Sequence, residues 1–469
     1  MILFKVVFLQ VAWFLIVLKS AQYNSLVTLA LCLLVLAGNY VVFSPDASKR
    51  KYWLFSILFT LAGLVLDGLL ISFNVIDSNS YSITYLGLWP IFVCYYDDIF
   101  KKFLNVRSVY LGLLGGFGGA MAYWSCVKLN ALSLGEAGAA PLLGATFAYW
   151  FLFFPGSIHM YHGTKLWDRF LDKTILFSFD KIGFNRHKKY FDENLDNLNL
   201  QNKSALVTGG TSGIGAEVAG TLANLGASVT VTGRSKDKGK RFANERDNTE
   251  FISLDMADWS EISNFCDKVD ALDLIALNAG GMPEDVKFND EGVEFQCASQ
   301  LVGHYLLIER LRRKGKLKQG ARIVWVSSGG MYLKELDLQK LFSGKDYDKV
   351  DTYANVKRAQ VTLVEELAKA SEWSEYSMVS MHPGWVDTGG LKEALPKFYK
   401  LIGNRLRSAM QGADTVAWLL STNKELEDGK FYFDRSTVSP YISSKYNPSK
   451  EQREKLVGKV KELVALKLN

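Results

Sequence analysis

The run Ala205-Leu206-Val207-Thr208-Gly209-Gly210-Thr211-Ser212-Gly213-Ile214-Gly215 decides the fold of the second half of the chain. Ala205-Leu206-Val207 reads as a short buried strand, and residues 216–225 that follow the glycines read as a helix. Glycines between a strand and a helix permit a tight turn and let backbone approach a pyrophosphate. The helix N-terminus adds free N–H groups and partial positive charge. Thr208, Gly209, Thr211, Ser212, Gly213, Ile214 and Gly215 are therefore the first candidate cofactor-binding residues.

Short apolar runs alternate with amphipathic, helix-length segments from Ser204 onward, which predicts an α/β doubly wound parallel sheet of the Rossmann type over residues 204–469. The next strand, Ser228-Val229-Thr230-Val231-Thr232, ends in Gly233-Arg234-Ser235-Lys236. An acidic residue at this place would hold a ribose 2′-hydroxyl. Arg234 and Ser235 stand there instead, and a guanidinium suits a 2′-phosphate, so NADP(H) is the expected cofactor.

Tyr353 and Lys357 are four residues apart in a helical stretch over about 352–368, so they share one helix face. An ammonium beside a phenol is expected to lower the phenol's pKa from ~10. The strand-like run Ile323-Val324-Trp325-Val326 ends in Ser327-Ser328, which brings a hydroxyl toward the same end of the sheet. A positioned proton donor of this kind contributes roughly 10²–10⁴-fold to a rate.

These motifs resemble the short-chain dehydrogenase/reductase family over about 204–440. The glycine pattern from Thr208 to Gly215 carries the likeness. So do Asp255-Met256, Asn278-Ala279-Gly280 with Leu277 in front, Ser328, Tyr353, Lys357 and the run Pro383-Gly384-Trp385-Val386-Asp387-Thr388. The resemblance implies hydride transfer between NADP(H) and a carbonyl/alcohol pair. It makes Tyr353 the acid/base and gives Lys357 two tasks, tuning Tyr353 and contacting the ribose. Ser328 orients the substrate oxygen, with Ser327 as the alternative. It implies that Asp255 and Met256 lie at the adenine, that Asn278, Ala279 and Gly280 support the sheet, and that Pro383, Gly384, Val386 and Thr388 line the nicotinamide side. The family's relay asparagine corresponds to Gln300, one methylene longer, and His304 reads as a packing residue. The most specific likeness is to the dehydrogenase/reductase member 12 type, through Ser327-Ser328-Gly329-Gly330-Met331, Met381-His382-Pro383-Gly384-Trp385, Arg405-Leu406-Arg407-Ser408 and Gly429-Lys430-Phe431-Tyr432-Phe433-Asp434-Arg435. Residues 389–411 read as a lid whose Leu391, Leu395, Phe398, Tyr399 and Leu401 suit an apolar or lipid-like substrate.

Upstream, residues 1–157 are apolar and almost free of carboxylates. Six stretches, about 4–21, 25–43, 53–72, 82–96, 109–127 and 138–155, approach the length that crosses ~30 Å of hydrocarbon. The fourth is short and carries Pro90, so it reads as a broken or re-entrant segment as well as a span. An α-helical transmembrane bundle of six spans is expected. Lys5, Lys49, Arg50, Lys51, Lys101, Lys102 and Arg107 on one side would put both termini in the cytoplasm. Asp67 inside span three is either a functional carboxylate or one paired with a neighbouring helix, and Asp97, Asp98 and Glu136 flank spans. The run Leu113-Leu114-Gly115-Gly116-Phe117-Gly118-Gly119 suits close helix packing. Asn39-Tyr40, Leu66-Asp67 and Leu88-Trp89-Pro90 resemble a bacterial multi-pass membrane family of unknown function, which implies a bacterial inner membrane and no particular activity.

Residues 158–203 read as an amphipathic connector. Trp167, Phe170, Leu171, Ile175, Leu176 and Phe179 suit either a membrane interface or the enzyme's own surface, and 184–203 reads as a polar linker. The net charge of +6 comes with no Lys/Arg block fit for nucleic acid. Five cysteines without a CxxC pair suggest neither disulfides nor a zinc site, so no metal is expected. The expected partners are a lipophilic small molecule and a lipid bilayer, with a homo-oligomer open by analogy. Two rivals remain: a nucleotide-binding regulator with little turnover, and a membrane half that itself binds or transports the substrate.

Overall fold

The computed structural model describes residues 2–19, 25–43, 49–81, 85, 88–96, 99–172 and 174–468. Asp97, Asp98 and Lys173, singled out from sequence, lie outside the described residues. The chain forms two compact units, Met1–Phe170 and Leu171–Asn469.

The first unit is helical. Its long helices are Ile2–Lys19, Ser25–Phe43, Lys49–Ser72, Ser108–Lys128 and Ala139–His162. Among the described residues two segments, Lys51–Ser72 and Ala139–His162, are long and apolar enough to cross a membrane by length and composition. The expected fourth span fails. Its helix, Leu88–Val93, has only 6 residues before the chain turns, a rise of roughly 9 Å against the ~30 Å a crossing needs. The count of six spans, and the orientation argument that used an even number, fall with it.

Close helix packing at the glycines is what the structure shows. A methyl at Gly115 would stand 2.7 Å from the carbonyl oxygen of Trp150, and one at Gly119 would collide with the Trp150 ring. The interior is aromatic: Phe59, Trp89, Phe92, Tyr96, Trp150 and Phe154 pack edge-on and stacked. Such pairs gain roughly 0.5–1.5 kcal/mol beyond their buried area.

The second unit is built on one eight-stranded sheet. Its strands are β1 (Ser204–Thr208), β2 (Ser228–Gly233), β3 (Thr249–Ser253), β4 (Leu272–Leu277), β5 (Leu317–Val326), β6 (Ser377–Met381), β7 (Phe431–Phe433) and β8 (Ser436–Val438). They run in the order β3-β2-β1-β4-β5-β6-β7-β8, and all neighbours are parallel except β7 and β8. Successive residues feed opposite faces: Leu206, Ile275 and Ile323 join one core, while Val207, Ala276 and Val324 join the other. A sheet covered by helices on both faces needs this near-continuous apolarity. The reversal of strand order at β1 and β4 opens a crevice at the strands' carboxyl ends.

Of the two readings of the connector, the enzyme's own surface holds from Leu171 onward, and the linker reading requires correction. Residues from Leu171 onward belong to the second unit. Phe179 packs with Met331, Tyr332, Phe431 and Phe433. The polar stretch is held in place because its polar groups are used. Asn194 accepts from the Asp196 amide, Trp418 Nε1 donates to Glu193 Oε2 at 2.7 Å, and Arg435 donates to the Glu193 carbonyl at 2.6 Å.

Arg407 binds this segment to the sheet. Its guanidinium is 1% exposed and takes Asp434 in a bidentate pair at 2.6 and 2.8 Å. The remaining N–H groups donate to the carbonyls of Ser178, Phe179, Asp180 and Pro383. His187 bridges Asp434 at 2.6 Å and Asp172 at 2.9 Å, and these two carboxylates hold its pKa up at about 9. Asp434→Ala leaves a cation buried without its partner and is expected to lower unfolding stability by about 3–5 kcal/mol. Urea unfolding followed by tryptophan fluorescence measures this, and a loss under about 1 kcal/mol would contradict it.

Candidate active site

A cleft of about 1400 Å³ opens at the carboxyl ends of the strands in the second unit. Gly209, Thr211, Ser212, Gly213 and Ile214 form one wall. Gly209 and Gly213 have φ of +66° and +56°, which side chains with a Cβ rarely adopt. A methyl at Gly209 would stand 2.8 Å from Ala279 Cα, and one at Gly215 would strike the Gly209 carbonyl. Ser212 precedes the helix Gly213–Asn224 without capping it through its side chain, so the first-turn N–H groups are left for a ligand. This cradle fits a dinucleotide's pyrophosphate.

Arg234 and Ser235 lie at the end of β2, with Arg234 exposed at the rim. Asp255, Met256, Asn278, Ala279 and Gly280 line the middle, and Pro383, Gly384, Val386 and Thr388 the far side. Thr208 and Gly215 sit behind this wall. The Asn278 amide donates to the carbonyls of Thr208 and Gly209 at 3.1 and 3.2 Å, which ties the glycine turn to β4. Thr208 Oγ1 accepts from the amides of Asn278 and Ala279 at 2.9 and 3.0 Å.

Ser328, Tyr353 and Lys357 line the same cleft. Asp348 caps the helix Lys349–Leu367 by accepting from the amides of Val350 and Asp351, and so fixes where the Tyr353 turn begins. The expected lowering of the Tyr353 pKa is overturned. Burial raises it to about 12, and the hydrogen-bonded Ser328 hydroxyl opposes the rise only in part. Lys357 shares that interior, and burial pushes its own pKa down to about 7. Its Nζ donates to the Val326 carbonyl at 2.9 Å and lies 5.3 Å from the centre of the Tyr353 ring. The site therefore holds a neutral phenol at pH 7, suited to giving a proton away.

Gln300 is not brought into the cleft lining. Its side-chain Nε2 donates to the Gly281 carbonyl at 2.9 Å, behind the wall, and its backbone carbonyl accepts from Gln360 Nε2 at 2.6 Å. It sits in a π-helical turn, Ala298–Val302. His304 is fully buried and held neutral, its pKa near 3 from desolvation. Its Nδ1 lies 2.9 Å from the Gln300 carbonyl and its Nε2 3.1 Å from Thr208 Oγ1. That pattern assigns Nδ1–H as the donor.

Trp385, named from the sequence without a role, lines the cleft, as do Lys238 and Leu254, which were not singled out from sequence. Lys238 lies in the first turn of the helix Lys236–Asn244, directly after Arg234 and Ser235, a placement that could have flagged it. Leu391, Leu395 and Phe398 of the expected lid reach the cleft, whereas Leu401 is 83% exposed.

Residues 203–397 match the family model described as short chain dehydrogenase. The chain is 32% identical over 291 residues to dehydrogenase/reductase SDR family member 12 of Homo sapiens, covering 59% of this chain and 91% of that one. The chain belongs to the short-chain dehydrogenase/reductase family. The family uses a nicotinamide cofactor, and the cleft's glycine wall fits one. Polyprenol dehydrogenase of Homo sapiens is 31% identical over 272 residues, covering 53% of this chain and 82% of that one. Retinol dehydrogenase 12 of Homo sapiens is 30% identical over 259 residues, covering 52% and 82%. Residues 2–156 match a second model, described as a protein of unknown function (DUF2878), so the dehydrogenase is fused to a separate N-terminal family.

A base whose pKa falls on folding binds fewer protons in the folded chain between the two values. Stability then rises with pH across that window. For Lys357 the window runs from about 7 to 10.5. Replacing Lys357 with Met is expected to raise the melting temperature of the cofactor-free protein at pH 7, with the gain shrinking by pH 10. A pH-independent difference between the two proteins would refute the buried, deprotonating amine.

Proposed function

We propose that the second unit is an NADP(H)-dependent reductase that converts an apolar or lipid-like carbonyl compound to its alcohol. The observation that carries this is the single cleft in which the glycine turn meets Ser328, Tyr353 and Lys357. Bound NADPH would supply the hydride. Gly209, Gly213 and the first-turn amides of the Gly213–Asn224 helix hold the pyrophosphate, and Arg234 with Ser235 holds the 2′-phosphate. Thr388 and Val386 face the carboxamide end. Ser328 donates to the substrate oxygen and orients it. Tyr353, protonated at working pH, gives that oxygen its proton. Lys357 steadies the ribose and restores charge balance once the phenol has lost its proton. Leu391, Leu395 and Phe398 exclude water beside the substrate.

The apolar lining favours a greasy substrate, and two relatives carry retinol and polyprenol in their names. The first unit is the membrane anchor in this reading, an α-helical bundle in a bacterial inner (cytoplasmic) membrane with the enzyme in the cytoplasm, where NADPH is supplied. Leu54, Ile57, Leu58, Leu61, Val65 and Leu69 support it. They recur at helical spacing on Lys49–Ser72 and are each 47–62% exposed, an apolar stripe that water disfavours.

A regulatory reading, in which the unit binds NADPH with little turnover, rests on Gln300 lying outside the cleft lining. Turnover separates the two. The wild-type protein is expected to oxidise NADPH with long-chain aldehydes or ketones, and Tyr353→Phe to lower kcat by roughly 10²–10⁴-fold. Equal rates would remove the catalytic reading, and activity confined to small polar carbonyls would remove the lipid-like substrate. Arg234→Ala loses a charge-assisted hydrogen bond of about 1.5–3 kcal/mol, so KM for NADPH should rise about ten- to hundredfold. KM for NADH should stay within about twofold, and a parallel rise for both would place the 2′-phosphate elsewhere.

A further inference from the structure

Beside the cleft, the second unit leaves a group of large apolar side chains uncovered. Phe177, Ile182, Leu401 and Met410 are each 41–83% exposed. Polar bonds draw their stretches of chain together. The Arg405 guanidinium lies 5.6 Å from the centre of the Phe177 ring and donates to Asp180 Oδ2 at 2.6 and 2.8 Å. Asp180 caps the helix Lys181–His187, where it accepts from the Ile182 amide at 3.0 Å. Asn185, one turn after Ile182, accepts from Gln411 Nε2 at 3.3 Å, which brings the neighbour Met410 to the same helix. Leu401 ends the helix run Pro396–Ile402, four residues before Arg405.

Folding has no use for these side chains. The segment after Leu171 docks on the enzyme through Ile175 and Phe179, and Phe177 and Ile182 stay outside. The lid divides in the same way. Phe398 reaches the cleft, where the Trp385 ring meets it edge-on at 5.4 Å, while Leu401 on the same short helix is exposed. Single exposed apolar residues are ordinary, but a cluster marks an interaction surface.

The charges around the cluster select the partner. Lys181, Lys397 and Lys400 are exposed, and none is in an ion pair among the described residues. The helices Gly389–Ala394 and Pro396–Ile402 carry Lys392, Lys397 and Lys400 against one carboxylate, Glu393. Asp180 is already taken by Arg405. An apolar surface edged by free cations suits a layer of anionic lipid heads over acyl chains. A second copy of this face would bring the same cations against them. The stretch that supplies Phe177 and Ile182 also begins where the first unit ends, at Phe170.

We propose that this face docks on an anionic phospholipid bilayer. Phe177, Ile182, Leu401 and Met410 enter the boundary between head groups and acyl chains, and Lys181, Lys397 and Lys400 meet the lipid phosphates. The inference rests on the reading of the first unit as a membrane anchor and of the substrate as lipid-like. The helix Pro396–Ile402 then joins bilayer to cleft, with Leu401 in the lipid boundary and Phe398 at the substrate. An apolar substrate passes between them without crossing water.

The test uses full-length protein, whose native cysteines are buried. Ile182→Cys, Met410→Cys, Leu466→Cys and Leu61→Cys are each labelled with bimane. Leu466 is the control, an exposed apolar residue whose neighbour Lys467 pairs with Glu291. The proteins are placed, without nucleotide, in nanodiscs that contain phospholipid with a nitroxide on the acyl chain. With phosphatidylglycerol present, fluorescence of the Ile182→Cys and Met410→Cys proteins is expected to fall at least about twofold, and that of Leu466→Cys by less than about a tenth. In phosphatidylcholine alone the quenching at the face should weaken by about half, and adding Lys397→Glu with Lys400→Glu should remove the difference between the lipids. Quenching no stronger than in Leu466→Cys, or equal quenching in both lipids, overturns the proposal. So does failure of bimane to react at both positions in detergent, since another part of the protein would then cover the face. Leu61→Cys, on the apolar stripe of the first unit, separates the readings. Quenching there without quenching at the face leaves the anchor standing and ends the docking, and quenching at neither ends both. None of these signals needs turnover, so the outcome for Tyr353→Phe does not move them.

Discussion

A guanidinium buried to 1% exposure must have every N–H answered, and Arg407 meets that demand by drawing three separate stretches of chain to itself. Asp434 comes from the turn between β7 and β8, Pro383 from the wall of the cleft, and Ser178, Phe179 and Asp180 from the segment ahead of the sheet. Gly384 stands between them at φ +78°, where a methyl would press on both Arg407 and the Phe179 carbonyl. The cleft wall is thus shaped from behind by residues about two hundred positions upstream of it in sequence. A charge that is costly to bury becomes a structural pin because no single neighbour can satisfy it.

The same economy of donors and acceptors organises the front of the cleft. Asn278 spends its amide on the glycine turn, and Thr208 takes two backbone amides while facing a neutral His304. Burial then sets the protonation of the reacting groups. The phenol of Tyr353 goes up and the amine of Lys357 goes down, so both are biased toward neutrality in an interior that disfavours charge. A buried donor phenol suits the delivery of a proton to a carbonyl oxygen.

The two units handle buried polarity differently. The dehydrogenase pairs its buried cation with a carboxylate and backbone carbonyls. The N-terminal unit holds Asp67 with three neutral aromatic donors. The first answers a charge with a countercharge, and the second answers it with neutral donors alone.

Much was legible in the order of residues. Strand-glycine-helix spacing, the Tyr353/Lys357 turn and the doubly apolar strands follow from local periodicity and backbone sterics, and these alone pointed to the sheet, the glycine cradle and the residues that line the cleft. Length also located the long apolar helices. Yet a window of 15 apolar residues could not reveal that the chain turns after Val93, because that depends on which aromatic rings it meets. Only tertiary structure decided the directions of the Tyr353 and Lys357 shifts, the place of Gln300 behind the wall, and the docking of the polar stretch after Leu171. Desolvation and long-range hydrogen bonding depend on what surrounds a group in three dimensions, and sequence spacing carries no record of those neighbours.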